Sequence, residues 1–437
     1  ERERGGGDEN SNSSSLSFSL KIAKKNAPAV ALVMASAVAF VTARTVRRDL
    51  SRYEAVLTLG RSGGPEAGPA AASDSSPSRS PYGLKERAAA LEDALSDSGW
   101  RNLAGDVWRP PADAAELAAK FGAGVQILLA GAVTLALAAA GLLSPASRGA
   151  LLTALLGLSL ATAAGGGYAA AWLWTAASGS ASGWPRVVWR AGALYPSLAA
   201  AVLLPLDALL WRAGSSGAIP LPALAGLVAA WVAVAVPLSL AGGAAAAAAR
   251  PAADHPTRTN QIPSLVPPPP RLAAGAGAGS SLPFSLASPG FLLLASGVLP
   301  FCALVFELHF VVSSNFHGSF YYLFGFLFAI AAVAVLLTAQ VSVVATYAQL
   351  CAEDHRWWGA SFRRGGAATA GYVGLYCLSA FAASGPGPLL LGAPLSAVVY
   401  LAYTFLALAA LYLALGAVGF AASYAFVRAI YSTVKTD

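Results

Sequence analysis

Residues 320–349 of this 437-residue chain read FYYLFGFLFAIAAVAVLLTAQVSVVATYAQ and contain no Asp, Glu, Lys or Arg. A helix needs about 20 mostly apolar residues to cross the roughly 30 Å hydrocarbon core of a bilayer. Nine stretches of the chain meet this requirement, so the sequence predicts an all-α polytopic membrane protein with nine transmembrane helices. The predicted spans are 27–46, 121–143, 149–176, 187–211, 217–242, 289–312, 320–349, 365–384 and 394–422.

The composition of the chain agrees with this class. Hydrophobic residues make up 56% of the sequence and charged residues 11%, whereas a soluble domain carries about a quarter charged residues. The net charge of +7 would also fit a nucleic-acid-binding protein, but the basic residues lie beside span ends rather than in one patch. We therefore expect a lipid bilayer as the environment and no nucleic-acid partner.

The placement of Lys and Arg predicts the orientation. The connections between spans lie alternately on the two sides of the membrane. Of the 28 Lys and Arg residues, only Arg148 and Arg212 lie in connections on the same side as the N-terminus. Short cytosolic loops carry an excess of Lys and Arg. The C-terminus is therefore predicted to be cytosolic and, with an odd number of spans, the N-terminus lumenal.

Polar segments divide the spans into one, then four, then four. Residues 61–82 are rich in Gly, Pro and Ser, and residues 250–288 are rich in Pro and Gly, as in linkers. The predicted order is a short lumenal segment at 1–26, transmembrane helix 1 at 27–46, a cytosolic loop at 47–120, helices 2–5 within 121–242, a cytosolic linker at 243–288, helices 6–9 within 289–431, and a cytosolic tail at 432–437.

Several short motifs stand in a fixed order along the chain. They are RTVRRDLSRY at 44–53, GWRNLAGDVWRPP at 99–111, TRTNQIP at 257–263, FYYLFGFLF at 320–328, QLCAEDHRWW at 349–358 and FVRAIYS at 426–432. In this order they resemble the motifs of the nonaspanins, the transmembrane 9 superfamily, over nearly the whole chain. Members of that family carry a large lumenal domain before the first span, so we expect most of that domain to be missing here.

The resemblance implies a membrane protein of the Golgi and endosomes that acts in trafficking, sorting or localisation of other membrane proteins. Such cargo proteins are the expected partners, recognised laterally through close helix packing and interhelical hydrogen bonds. Lys435 and Asp437 at the C-terminus resemble the family's Lys-x-Asp/Glu tail, which the coatomer coat binds to retain the protein in the Golgi. Tails of this kind are addresses read by a receptor rather than membrane anchors.

Three polar residues within predicted spans form a candidate intramembrane polar site: Glu307, Gln340 and Asp207. An ionisable group in hydrocarbon is costly enough to need a partner or a function. Glu307 either packs between helices and accepts a hydrogen bond, from His309 or a tyrosine, or binds a proton, an ion or a cargo helix. Gln340 is expected to hydrogen-bond across helices, and Asp207 to reach the interface or pair with Arg212.

The sequence predicts no catalytic residues, no cofactor and no metal site. The cluster from Glu353 to Trp358 contains acids, a histidine and two tryptophans, but no second His or Cys stands at ligand spacing, so we interpret it as an interface anchor that also contributes to folding. The alternative to a sorting protein is an ion-coupled small-molecule transporter or channel, with Glu307 and Gln340 along a polar path.

Overall fold

The computed structural model describes residues 33, 36–37, 39–40, 43–48, 51, 99–143, 148–215, 217–249, 255–257, 259–262, 289–316, 324–383 and 394–433. Every regular element among these residues is helical. After a short 3₁₀ helix at Gly99–Leu103, the helices are α1 (Ala114–Ala139), α2 (Arg148–Ala161), α3 (Ala163–Ser178), α4 (Trp184–Arg212), α5 (Leu221–Ala230), α6 (Val236–Ala248), α7 (Pro289–Phe316), α8 (Phe324–Cys351), α9 (Trp357–Ala383) and α10 (Pro394–Thr433).

Eight helices in the described part of the chain are long and apolar enough to cross a membrane. Two of them are composite, since α2 continues into α3 and a π-helical turn at Trp231–Ala235 joins α5 to α6. The eight correspond to predicted spans two to nine, which confirms the all-α polytopic class. The predicted first span, 27–46, lies largely outside the described residues, and those of its residues that are described are helical.

Three helices extend beyond the predicted spans by about seven residues or more. Helix α1 begins at Ala114 rather than 121, and Lys120 pairs with Glu116 along its first turns. Helix α9 begins at Trp357 rather than 365, and α10 continues to Thr433 rather than 422. The 40 residues of α10 reach about 60 Å at 1.5 Å per residue, which exceeds the hydrocarbon thickness. A hydropathy pattern marks only the apolar part of such helices.

Helices α1 and α10 join the two groups of four spans. Helix α1 packs against α3 and α4 of its own group and against α8 and α10 of the other group, while α10 packs against α8 and α9. Segment 99–111 lies across the end of the bundle where α1 and α9 begin and α10 ends. We call this the capped end and the other the opposite end.

Small residues permit the tightest helix crossings. At the crossing of α3 and α6, a Cβ on Gly167 would overlap the backbone carbonyl group of Ser239, and a Cβ on Gly242 would overlap that of Ala164. Small residues let membrane helices approach until their backbones touch, which increases van der Waals contact between them. This contact matters in a bilayer because the hydrophobic effect does not drive helices together there. Some of the glycine in these spans is therefore required by packing.

Candidate functional site

The capped end is assembled from segments that are distant in the sequence. Val107 and Trp108 of segment 99–111 are 0% and 2% exposed. The carbonyl oxygen of Val107 accepts hydrogen bonds from both indole nitrogens of α9, at 2.8 Å from Trp357 Nε1 and 3.3 Å from Trp358 Nε1. One carbonyl oxygen accepts two donors because it has two lone pairs. The start of α9 is thereby attached to a segment that precedes α1.

Five aromatic rings fill the space beneath this segment, and we call them the aromatic cluster: Trp108, Trp357, Trp358, Phe420 and Tyr424. Their neighbouring ring centroids lie 5.0–6.4 Å apart, within the range of favourable aromatic pairs. Both tryptophans of α9 are at most 1% exposed. They pack inside the protein, so the interpretation of this pair as interface anchors at headgroup level is wrong, and their role in folding explains their position.

The described part of the linker after α6 closes over the cluster. The imidazole of His255 stacks on Trp108 with ring centroids 4.6 Å apart, and its Nε2 lies 3.1 Å from the carbonyl oxygen of Ala176 at the end of α3. Burial lowers the pKa of His255 below its ordinary value, although the bond to Ala176 acts in the other direction. The neutral imidazole is therefore the form that fits this stack.

Asn260 and Arg109 connect the linker to segment 99–111. The backbone N–H of Asn260 donates to the carbonyl oxygen of Gly105 at 2.7 Å. The guanidinium of Arg109 donates to the carbonyl oxygen of Asn260 at 2.8 Å and forms an ion pair with Asp106 at 2.7 Å. The motifs at 99–111 and 257–263 are thus joined by hydrogen bonds.

The turn between α8 and α9 meets the same segment. The backbone of Glu353 has φ +58°. This is a left-handed conformation that residues other than Gly, Asn and Asp rarely adopt. Its Oε1 accepts a hydrogen bond from Asn102 Nδ2 at 2.8 Å. Next to it, Gln349 Nε2 donates to Asp354 Oδ2 at 3.0 Å. The acidic pair of this turn therefore makes polar contacts that shape the backbone.

Two of the three predicted polar-site residues lie near the opposite end, on helices that pack in different groups. Glu307 is 1% exposed on α7, which packs against α8 and α9. Its neighbour His309 hydrogen-bonds Tyr376 of α9 through Nδ1 at 2.8 Å. Asp207 of α4 accepts a hydrogen bond from the backbone N–H of Ile219 at 2.6 Å. It closes the turn before α5, and the ion pairs among the described residues do not join it to Arg212.

Gln340 lines a lateral groove between α8, α10 and the described helical residues 39–47 of the predicted first span and its end. The groove encloses about 420 Å³, and its walls are Ala39, Ala43, Val46, Arg47, Ala339, Gln340, Val343, Ala422 and Phe426. Gln340 Oε1 is buried and accepts no hydrogen bond from the described residues. Glu307 and Asp207 do not line this groove.

Arg364 is a buried cation that the sequence analysis missed. It is 4% exposed on α9, and its Nη2 lies 3.3 Å from Thr346 Oγ1, which in turn lies 2.9 Å from Ser423 Oγ. Its Nε is buried and donates to no described residue. The predicted span began at 365 and left Arg364 outside. Its signal was the helical spacing from Trp357 to Ser361 to Arg364, which places all three on one buried face.

Metal-ligating and thiol side chains are scattered over the described residues. No group of three His, Cys, Asp or Glu in this part of the chain is arranged to hold a metal ion. Cys302, Cys351 and Cys377 form no disulfide bond within the described residues and lie on three different helices. The predicted Golgi-retention residues Lys435 and Asp437 lie outside the described residues.

Comparisons with known proteins cover most of the chain. The family described as EMP70, Endomembrane protein 70, matches residues 20–384. The chain is 37% identical over 414 residues to Transmembrane 9 superfamily member 11 of Arabidopsis thaliana, covering 94% of this chain and 55% of that protein. It is 36% identical over 413 residues to member 12 of the same plant, covering 94% and 56%.

The similarity extends to animals. Human Transmembrane 9 superfamily member 4 is 35% identical over 347 residues, covering 79% of this chain and 51% of that protein. The chain therefore spans about half the length of the curated relatives that it matches. No solved structure matches it significantly.

Proposed function

This chain belongs to the transmembrane 9 superfamily, and we propose that it acts in the sorting or localisation of other membrane proteins by recognising their transmembrane helices laterally. It is a multi-pass membrane protein of that family. The proposal adds that it resides in Golgi and endosomal membranes, with its capped end in the cytosol and cargo membrane proteins as partners. An enzymatic role forms no part of the proposal.

The lateral groove that Gln340 lines supports this proposal. Four of the residues that line it are alanines, namely Ala39, Ala43, Ala339 and Ala422. Small side chains allow a further helix to approach closely. Gln340 is half-buried in the lining of this groove, and its amide can form a hydrogen bond with a polar group of such a helix. Interhelical bonds of this kind contribute about 0.6–2 kcal/mol, enough to select a cargo helix without holding it permanently.

Site-specific cross-linking tests the groove. A photoreactive side chain at Val343, inside the groove, is expected to capture a transmembrane cargo whose surface delivery depends on this protein. The matched control is Leu375, which lies 66% exposed on α9 and outside the groove. Gln340→Leu should weaken both capture at Val343 and delivery of that cargo. Equal capture at Val343 and Leu375 would contradict lateral recognition in the groove.

The alternative, an ion-coupled transporter or channel, makes a different demand on Glu307. A carrier needs the charge of Glu307, so Glu307→Gln should abolish proton or ion flux in reconstituted vesicles. A packing role tolerates Gln, whereas Glu307→Ala loses cargo delivery because a buried polar contact is removed. Flux that disappears in Glu307→Gln would favour the carrier and count against sorting.

The proposed coatomer contact is tested at the C-terminus. Because the coat must recognise the lysine together with the free chain end, Lys435→Ala and an extension beyond Asp437 should both move the protein from the Golgi to later compartments. Arg428→Ala, a charge change within α10, serves as the control and should leave the Golgi location unchanged. If both tail variants stay in the Golgi, the tail is not the address.

A further inference from the structure

A buried arginine lies where α8, α9 and α10 cross. Arg364 is 4% exposed and stands two turns, or about 10 Å, along α9 from its first residue, Trp357. The preceding residue, Arg363, is exposed, so only one of the two adjacent arginines is enclosed by protein. A buried cation is costly unless opposite charge and hydrogen-bond acceptors surround it. The surroundings of Arg364 therefore need an account of both.

Negative charge is scarce around Arg364. It forms no ion pair with any described residue. Asp354, in the turn before α9, acts on it electrostatically, but Gln349 and Arg356 bind the two oxygens of that carboxylate. Arg363 adds a further positive charge nearby. The charged groups around this guanidinium therefore carry more positive than negative charge.

Hydroxyl groups from two other helices hold the guanidinium in place. Its Nη2 lies 3.3 Å from Thr346 Oγ1 of α8, which lies 2.9 Å from Ser423 Oγ of α10. Ser423 donates its hydroxyl hydrogen to the carbonyl oxygen of Ser342 at 3.3 Å. Because a hydroxyl has one hydrogen, Thr346 then donates to Ser423. The hydrogen bonds thus run from Arg364 to the backbone of α8, and three helices fix its orientation.

Two donors at this crossing have no acceptor among the described residues. They are Arg364 Nε and the hydroxyl of Ser342, and both atoms are buried. A Cβ on Gly419 would lie 2.6 Å from Ser342 Oγ and 2.7 Å from the Cα of Gly365. The hydroxyl of Ser342 therefore lies close to the residue that follows Arg364. Native proteins satisfy nearly all of their buried donors, whether by protein, by water or by an ion.

We propose that a small monovalent anion such as chloride binds between Arg364 and Ser342. It accepts hydrogen bonds from Arg364 Nε and from the Ser342 hydroxyl, and its charge balances that of the guanidinium. A guanidinium has no acceptor atom, so it cannot ligate a cation. A water molecule could accept the same two bonds but would leave the positive charge uncompensated. The inference does not rest on the sorting function.

The test titrates chloride into the full-length protein in detergent micelles. Sodium gluconate replaces sodium chloride at constant ionic strength, so that general screening stays the same. Bound chloride should broaden the chloride NMR signal and raise the unfolding temperature until the site is saturated. At ten times the dissociation constant, the equilibrium constant for folding should increase about elevenfold. Bromide should displace chloride, whereas an unchanged line width and unfolding temperature in chloride would overturn the proposal.

The first pair of variants compares the two adjacent arginines. Arg364→Gln should abolish the broadening and the chloride-dependent stabilisation, because it removes both the charge and the Nε donor. The matched control, Arg363→Gln, removes the same charge from an exposed position and should change the chloride affinity by less than about threefold, since exposed charges are screened. An equal loss in both variants would mean diffuse attraction to positive charge and would overturn the site.

The second pair keeps the guanidinium and carries the test even if Arg364→Gln does not fold. Ser342→Ala should weaken chloride binding about tenfold, because one donor to a charged group is lost. The control is Thr338→Val, one turn away on α8, whose hydroxyl already donates to the carbonyl oxygen of Ala334 and whose loss should leave the affinity unchanged. Full affinity in Ser342→Ala, or an equal loss in both variants, would contradict the proposed site.

Discussion

The two ends of the helix bundle differ in their hydrogen bonds: those of the longest sequence separation among the described residues lie at the capped end, although His309 and Tyr376 also bond across 67 residues near the opposite end. At the capped end, Trp357 bonds Val107 across 250 residues of sequence, and Tyr431 bonds the carbonyl oxygen of Trp100 across 331. At the opposite end, Asp207 and Trp211 both bond Ile219, across 12 and 8 residues. Contacts of the first kind form only when most of the chain is assembled, whereas those of the second kind form within one turn.

The difference also appears in burial. Trp357 is 0% exposed, whereas Trp211 is 46% exposed and faces outward. Aromatic rings in a packed interior contribute far more to stability than rings that contact lipid or water. The capped end, where Phe121 packs on Phe420 and Trp172 on Tyr424, therefore contributes more to holding the two groups of helices together than the turn that Asp207 and Trp211 close.

The largest expected effect distinguishes the two tryptophans. Trp357→Ala should lower the free energy of unfolding by about 3–5 kcal/mol, because it leaves a cavity in the aromatic cluster. Trp211→Ala should cost less than about 1 kcal/mol, because the ring is half exposed. Equilibrium unfolding in mixed micelles measures both. Similar losses for the two variants would remove the distinction between the ends.

The next effect concerns the crossing of α9 and α10. A Cβ on Gly366 would overlap the backbone carbonyl group of Tyr412, whereas nothing lies near a Cβ on Gly371 of the same helix. Gly366→Val should therefore destabilise the protein by about 2–3 kcal/mol through overpacking, and Gly371→Val should be close to neutral. Thermal unfolding followed by size-exclusion chromatography reports both. A neutral Gly366→Val would mean that the crossing is looser than the structure shows.

A smaller effect isolates one long-range hydrogen bond. Tyr431→Phe keeps the packed ring but leaves the carbonyl oxygen of Trp100 without its donor, which should cost about 1–2 kcal/mol. Tyr403, which is 54% exposed, is the control, and Tyr403→Phe should change stability by less than about 0.5 kcal/mol. Proteolysis within segment 99–111 should also become faster in Tyr431→Phe alone. Unchanged cleavage and stability would show that this contact does not hold the segment in place.

At the opposite end, Asp207→Ala should cost about 1 kcal/mol or less, because it removes a single hydrogen bond to the backbone of Ile219. Asp207→Asn retains an acceptor and should be nearly neutral. Unfolding in mixed micelles measures both variants. If Asp207→Asn were as damaging as Asp207→Ala, the charge of Asp207 would matter and the local-turn explanation would be wrong.

The smallest effect is a pH dependence that belongs to the capped end. The pKa of His255 is lowered in the folded protein, so the unfolded chain binds the proton more readily. The stabilising contribution of neutral His255 is present above its ordinary value of about 6.5 and is lost as the pH falls below it. His255→Gln should reduce the loss of stability between pH 7.5 and 5.5, and an unchanged pH profile would contradict this.

Local sequence patterns predicted much of this architecture. The apolar run at 320–349 corresponds to α8, and eight of the nine predicted spans correspond to the eight crossing helices of the described residues. The start of α9 was missed because Arg363 and Arg364 lower the hydropathy there, although Arg364 is buried against hydroxyl groups of α8 and α10. A hydropathy pattern registers a charge but not the polar partners that make its burial possible.

The sequence by itself determined that the chain is helical and membrane-spanning, because hydrocarbon admits only long apolar segments that satisfy their own backbone hydrogen bonds. Its motifs also indicated the family, each as a separate segment. Only the tertiary structure decided that segment 99–111, residues 255–257 and 259–260 of the linker and segment 349–358 meet around one aromatic cluster, and that Gln340 lines a groove without Glu307 and Asp207. The physical reason is the sequence separation of the interacting residues. A helix forms through interactions between residues that are neighbours in sequence, whereas a site depends on how helices that are far apart in sequence pack against each other.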